Sequence, residues 1–346
     1  LSAKEEESEV LDDRKSRVLR AVIEDYIETA EPVGSRTIAR KHRLGVSPAT
    51  IRNEMADLEE TGYLEQPHVS AGRIPSDKGY RFYVDALMEP MKYTLEQYRS
   101  VCDEMMKHYR EMERLVQEAG RLLASLTQSA AIVVAPPIEQ LAFQHVQLIP
   151  VDERDVLVVL VLNPNVVKNK IVRTDRAFSS EELLQLSAGL NQKLRGVTYR
   201  DLGPTVLREV IAEFGEIGQV MVELLVKCLA ADRDDQVYSS GMTHILNQPE
   251  FRDVEKAKLL LEALEQKEIW LDLLGDDMHG VRVTIGKEHP YADIQDCSLV
   301  TANYYVGGHV VGSVGVIGPT RMEYARLVAM VELIASTLSE LLTDMK

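Results

Sequence analysis

The 346-residue chain does not bring together the groups that covalent catalysis needs. His42, His68, His108, His145, His244, His279, His289 and His309 stand singly, with no H-E-x-x-H pair, and "GSVG" is not a G-x-S-x-G elbow. No G-x-x-x-x-G-K-[ST] phosphate loop is present. Cys102, Cys228 and Cys297 are widely spaced and form no C-x-x-C, which argues against a disulfide framework and a zinc site and leaves buried free thiols. Neighbouring carboxylates such as Glu59 with Glu60, and Glu181 with Glu182, point in different directions on a helix and read as solvated faces. The expectation is no catalytic residue, no cofactor and no metal. What these residue types do support is phosphate and base-edge binding. From Pro32 to Asn53 the chain carries Arg36, Arg40, Lys41, Arg43 and Arg52 with no Asp or Glu, and from Gln66 to Val84 Arg73, Lys78 and Arg81 face only Asp77.

These windows stand out because the chain as a whole carries a formal net charge of -16. Phosphate backbones repel an acidic surface, so binding would have to be local.

The elements that would position these cations follow from periodicity. Val18, Leu19, Val22, Ile23, Tyr26 and Ile27 recur at helical spacing, and Glu31-Pro32 ends that run. A short helix follows from Ser35, then the tight turn Leu44-Gly45-Val46. Ser47 is an N-cap with Pro48 at the first helical position, Ile51, Met55 and Leu58 form an apolar stripe, and Gly62 closes the helix. "YLEQPHVSAGRIPSD" then reads as a hairpin, with Gly72 expected to supply a left-handed tip and Pro75 an edge. Helix, turn, helix and hairpin is the order of a winged helix-turn-helix, whose second paired helix lies in the major groove. A small helical domain that binds protein is the alternative the helix pattern leaves open.

With the stripe inside, Ala49 and Asn53 face outward, flanked by Thr50 and Arg52, where Asn can pair with adenine and Arg with guanine. Arg73 is expected to reach phosphate or the minor groove, with Lys78 and Arg81 near the backbone. The candidate DNA-contacting set is Ser35, Arg36, Arg40, Lys41, Ser47, Ala49, Thr50, Arg52, Asn53, His68, Ser70, Arg73, Lys78 and Arg81.

Beyond it, Tyr93 to about Thr127 is helical, followed by β-rich runs "AAIVVAP", "AFQHVQLIPVD", "DVLVVLVLN" and "VVKNKIVRTD", read as successive antiparallel strands. A long helical block begins at Ser179, with apolar faces at Leu224, Leu225, Val226 and Leu229 and at Leu259, Leu260, Leu261 and Leu264. Strands return with "VRVTIG", "CSLVTANYYVGG" and "HVVGSVGVIG", and Thr320 with Glu323 suggests a capping box on a final helix. A sheet interrupted by helices and then resumed suggests one domain inserted into another. "GGHVVGSVGVIGPTRM" allows a glycine loop for a small effector, with Arg321 at a helix N-terminus as its anion contact, or glycines at strand ends beside a helix start. The longest apolar runs are too short to span a membrane, and the acidic start is unlike a secretory signal, so a cytoplasmic protein is expected.

Two stretches carry a family resemblance: "GSRTIARKHRLGVSPATIRNEMADLEETGYLEQPHVSAGRIPSDKGYR" and "DCSLVTANYYVGGHVVGSVGVIGPTRMEY". Together with the strand, insert, strand layout between them, they resemble the heat-inducible transcription repressor HrcA family over essentially the whole chain. The resemblance implies an α+β multidomain protein. Its parts would be an N-terminal winged helix-turn-helix at 1–90, a discontinuous GAF-like antiparallel sheet domain with helices at 91–174 and 275–346, and an inserted, mainly helical dimerisation domain at 175–274. It further implies a homodimer that binds double-stranded DNA at an inverted-repeat operator, CIRCE, upstream of chaperone operons, and modulation by the GroEL chaperonin. The alternative is a repressor whose GAF-like domain binds a small-molecule effector.

Overall fold

The computed structural model describes residues 11–89, 91, 93–107, 112–135, 142–163, 166–198, 208, 212, 237–274 and 280–344. The apolar positions Leu224, Leu225, Val226 and Leu229, together with Cys228, His108 and His279, lie outside the described residues.

The N-terminal part holds α1 (Asp13–Thr29), α2 (Ser35–Lys41) and α3 (Pro48–Glu60). Asp12 caps α1 by accepting the Lys15 N–H at 2.7 Å, and Ala30 ends it in the left-handed region at φ 55°. The α2–α3 turn places Arg43 at φ 47° and Gly45 at φ 75°, and Gly62 closes α3 at φ 80°. Val18, Leu19, Val22 and Ile23 of α1 bury against Ile38 of α2 and against Ile51, Met55 and Leu58 of α3. The apolar stripe read from the sequence is therefore the core of this part.

A two-stranded antiparallel hairpin follows, β1 (Leu64–Glu65) with β2 (Ile74–Pro75), in the register Leu64↔Pro75 and Glu65↔Ile74. Val33 and Arg73 extend it by exchanging both backbone hydrogen bonds at 2.9 Å. Gly72 is not in the left-handed region. It is required for another reason: a Cβ there would lie 2.4 Å from the Val33 carbonyl oxygen. α4 (Asp77–Phe82) continues into a π-turn over Tyr83–Leu87.

Two helices, α5 (Leu95–Met106) and α6 (Met112–Thr127), lead to the body of the protein. Its centre is a five-stranded antiparallel sheet built from β3 (Ala130–Val134), β7 (Val237–Ser240), β8 (Val281–Ile285), β9 (Cys297–Val306) and β10 (His309–Pro319), in the order β7-β3-β10-β9-β8. Every residue of β3 is buried. Ala131 and Val133 share one apolar cluster with Leu115 and Val116 of α6 and with Val331 and Ile334 of the last helix. Ala130, Ile132 and Val134 share another with Leu260, Leu264 and Trp270. Those last residues come from α9 (Val254–Glu265) and α10 (Lys267–Leu274), which follow the short α8 (Met242–Leu246). The last helix, α11 (Tyr324–Asp344), starts one residue after Glu323, so Thr320 and Glu323 precede it and do not form its first turn.

The remaining strands, β4 (Ala142–Pro150), β5 (Asp155–Asn163) and β6 (Val166–Arg173), are successive and antiparallel, as expected, but they form a sheet of their own in the order β4-β5-β6. α7 (Ser180–Leu194) covers one face through Leu183, Leu186, Leu190 and Leu194. The five-stranded sheet is thus interrupted after Val134 and resumes at Val237, so the expected boundaries at 174 and 275 do not coincide with sheet membership. The physical reason is visible in the burial. β3 is apolar at every position and buried on both faces, whereas β4 alternates and buries one. Among the described residues, no helix is long and apolar enough to cross a membrane.

Candidate nucleic-acid interface

α3 begins where Ser47 Oγ accepts the Thr50 N–H at 3.1 Å, with Pro48 at a position that needs no donor. Its buried stripe turns Ala49, Arg52 and Asn53 out to solvent, with Thr50 half-buried. Four acids lie on the same helix, and three of them have a cation from elsewhere, while Glu60, exposed in its last turn, makes no ion pair among the described residues. Glu54 pairs with Arg14 at 3.5 Å, Asp57 with Lys15 at 3.1 Å and Glu59 with Arg73 at 2.7 Å. The Asp57 hydrogen bond raises the Lys15 pKa despite some desolvation. Among the described residues, Arg36, Arg40, Arg43 and Arg52 form no ion pair, and all four are exposed. Ser35 is half-buried at the start of α2. The pairing leaves positive charge uncommitted on α2, the turn and the start of α3.

Four of the expected DNA contacts are occupied within the protein. Lys41 binds Asp25 at 2.6 Å and Glu28 at 2.5 Å, and both bonds raise its pKa. Burial alone would raise the Asp25 carboxyl, but hydrogen bonds from Lys41 and from His42, at 3.1 Å, bring it below its ordinary value. Lys41 therefore ties α2 to the end of α1. Arg73 stands at the base of the hairpin instead of reaching outward: its guanidinium is held by Glu59, and its Nε is buried without a partner. Lys78 Nζ donates to the Thr61 carbonyl at 3.0 Å and lies 4.2 Å above the Tyr63 ring, which closes the C-terminal end of α3. Arg81 Nε and Nη2 grip Glu288 at 2.8 Å and 2.5 Å, and Nη2 also donates to the Val283 carbonyl at 2.6 Å. These four placements share one cause. A cation in an acidic chain settles on whichever carboxylate or carbonyl folding brings near it.

The outermost part of the hairpin is His68, Val69 and Ser70, all exposed. The Ala71 N–H donates to the His68 carbonyl at 2.8 Å, and Gln66 Nε2 donates to the carbonyls of Val69 at 3.1 Å and Ala71 at 3.0 Å. The tip is thus three residues before Arg73. Sequence reading omitted Gln66, Arg14, Lys15 and Arg43 from the candidate set. Only Arg43 had a signal, its place in the acid-free window.

The glycine-rich C-terminal stretch has a packing explanation. A Cβ at Gly312, inside β10, would meet Tyr304 Oη and the Val134 carbonyl at 2.3 Å. Arg321 is not available to an anion. It is 12% exposed, with Nε on Glu250 at 2.6 Å and Nη1 on the Ile27 carbonyl at 2.7 Å, where it caps the end of α1. Cys297 is buried, which pushes its thiol up to about 12, and Cys102 is half-buried. Among the described residues, no group of three or more His, Cys, Asp or Glu side chains could hold a metal.

Comparison with known proteins gives the family. The model of the HrcA protein C terminal domain matches residues 113–328. A heat-inducible transcription repressor HrcA of Pelotomaculum thermopropionicum is 45% identical over 337 residues, which cover 96% of this chain and 97% of that one. The protein of the same name from Desulforamulus reducens is 42% identical, with the same coverage of each chain. A crystal structure described as that of a hypothetical protein is 27% identical, with a TM-score of 0.67 over 97% of this chain and 100% of the other. With relatives this similar over nearly the full length, the chain belongs to the HrcA family of heat-inducible transcription repressors, a family of gene regulators and not of enzymes.

Proposed function

We propose that residues 1–90 form a winged helix-turn-helix that represses heat-shock genes by binding double-stranded DNA, with α3 in the major groove and the hairpin beside it. One observation carries this reading. Three of the four acids of α3, Glu54, Asp57 and Glu59, are paired with a cation from α1 or the hairpin, and the fourth, Glu60, lies in the last turn, while Arg36, Arg40, Arg43 and Arg52 stay unpaired among the described residues around the helix's exposed face. Asn53 and Arg52 would read base edges, and Arg36 and Arg40 would meet phosphates.

In this reading the five-stranded sheet with its helices is the GAF-like domain, and the unit of β4–β6 with α7 belongs to the inserted dimerisation domain. Support for a homodimer comes from the sheet face that α7 leaves open. Ile149, Leu157 and Ile171 stand in one cross-strand row, and Val161 and Val167 in another. Ile149, Val167 and Ile171 are exposed, and apolar rows of this kind mark contact surfaces. A two-fold dimer matches an inverted repeat such as CIRCE. The family resemblance adds the GroEL chaperonin as modulator and the cytoplasm as the working compartment.

A single gel-shift series tests the whole reading. The full chain is titrated onto the inverted repeat and onto a scrambled duplex, with and without GroEL. Tighter binding to the repeat is expected, strengthened by chaperonin and weakened when Ile171→Asp breaks the dimer. Equal binding to both duplexes under every condition would refute it.

A further inference from the structure

Among the described residues no large apolar side chain is as exposed as Val69, at 98%. A single exposed valine is ordinary on a loop that can fold it away. Here three sets of contacts hold it out in water. Gln66 donates to the carbonyls on both sides of Ser70, the Ala71 N–H closes on His68, and the base is fixed by the Val33–Arg73 exchange and the Arg73–Glu59 pair. A tip prepared in this way loses little conformational freedom when it docks.

We propose that Val69 reads the DNA minor groove beside the α3 contact and makes the flanking base pairs selective for A·T over G·C, an inference that rests on the DNA-binding reading above. The hairpin leaves α3 through Gly62, at the helix's C-terminal end. With α3 in the major groove, a projection from that end reaches the neighbouring minor groove. There A·T pairs offer only acceptors, whereas G·C adds the guanine N2 amine as a donor. The Ser70 hydroxyl and the His68 ring N–H, both exposed, can donate to those acceptors. The Val69 methyls pack against the groove floor and cannot accept from the guanine amine, which is left desolvated and unpaired.

The test measures binding of the full chain to inverted-repeat duplexes whose flanking pairs are A·T, G·C or inosine·C. Inosine lacks the N2 amine, so inosine·C presents an A·T-like minor groove beneath a G·C-like major groove. The wild-type chain is expected to bind the A·T and inosine·C duplexes about three- to tenfold more tightly than the G·C duplex, the size of one partly buried valine contact. Val69→Gly is expected to bind all three alike with its salt dependence unchanged, and Gln66→Ala to lose part of the preference. Inosine·C behaving like G·C, or Val69→Gly keeping the wild-type preference, would overturn the proposal while DNA binding stands. A wild-type chain that binds no duplex overturns both.

Discussion

Arg81 holds Glu288 with two guanidinium nitrogens, at 2.8 Å and 2.5 Å, across a separation of 207 residues. The contact joins α4, directly after the hairpin, to the turn that follows β8 of the body. Asp77 reinforces it by accepting the Lys287 N–H at 3.1 Å, and Arg321 makes a second join by binding Glu250 and the end of α1. The orientation of the N-terminal part on the body is therefore set by a few charged contacts as well as by apolar packing.

The first of these joins should respond to pH. Burial pushes the Glu288 carboxyl up, but the Arg81 hydrogen bonds and the Ile285 N–H outweigh it and place the group below its ordinary 4.5. A carboxyl lowered by folding stabilises the fold above its ordinary pKa, and that part is lost as pH falls through the folded value. Glu288→Gln should cost about 0.5–1 kcal/mol at neutral pH, after allowance for solvent screening. In thermal melts the two proteins should converge as pH drops below 4.5. A gap that persists at low pH would contradict this origin.

Arg36 and Asn53 should separate affinity from specificity. Arg36→Ala is expected to weaken binding to every duplex and to reduce the slope of log affinity against log salt by about 0.9. Asn53→Ala should leave that slope in place and lose about 1–3 kcal/mol of discrimination at one base pair. Binding isotherms at several salt concentrations distinguish the two, and equal effects would remove the assigned roles.

Gly72 and Arg73 should act through the hairpin's shape. Gly72→Ala sets a Cβ 2.4 Å from the Val33 carbonyl oxygen, a backbone atom that can move only if the hairpin does. A loss of about 1–3 kcal/mol follows from overpacking, read by urea unfolding. Arg73→Ala should cost about 1 kcal/mol by releasing Glu59, and leave the salt dependence of DNA binding nearly unchanged. A salt slope reduced as much as in Arg36→Ala would show that Arg73 meets phosphate after all.

Much of the DNA-facing part was legible in the sequence because its causes are local. The spacing of Ile51, Met55 and Leu58 sets the inward side of α3, and Ser47, Pro48 and Gly62 set its ends. The same spacing turns Ala49, Arg52 and Asn53 outward. The division between the two sheets was not legible: "DVLVVLVLN" is as continuously apolar as "AAIVV", yet it joins the smaller sheet and buries only Val156, Val158, Leu160 and Leu162, because α7 covers just one of its faces.

Tertiary structure alone decided which cations remain for a partner. Lys41, Lys78, Arg81 and Arg73 are the same residue types as Arg36, Arg40 and Arg52, and apart from Asp85, which pairs with Arg81 one turn on at 3.2 Å, nothing in their immediate neighbours marks them as taken. Coulombic and hydrogen-bonding partners are chosen by distance in space, and here that distance is closed by Asp25 on the preceding helix, Thr61 at the end of α3, Glu288 in the body and Glu59 on α3. By itself the sequence determined the helices, the hairpin and an acidic chain with basic windows. Folding paired four of those cations within the protein, and the hydrogen bonds that Gln66 makes across the hairpin tip hold Val69 in the open.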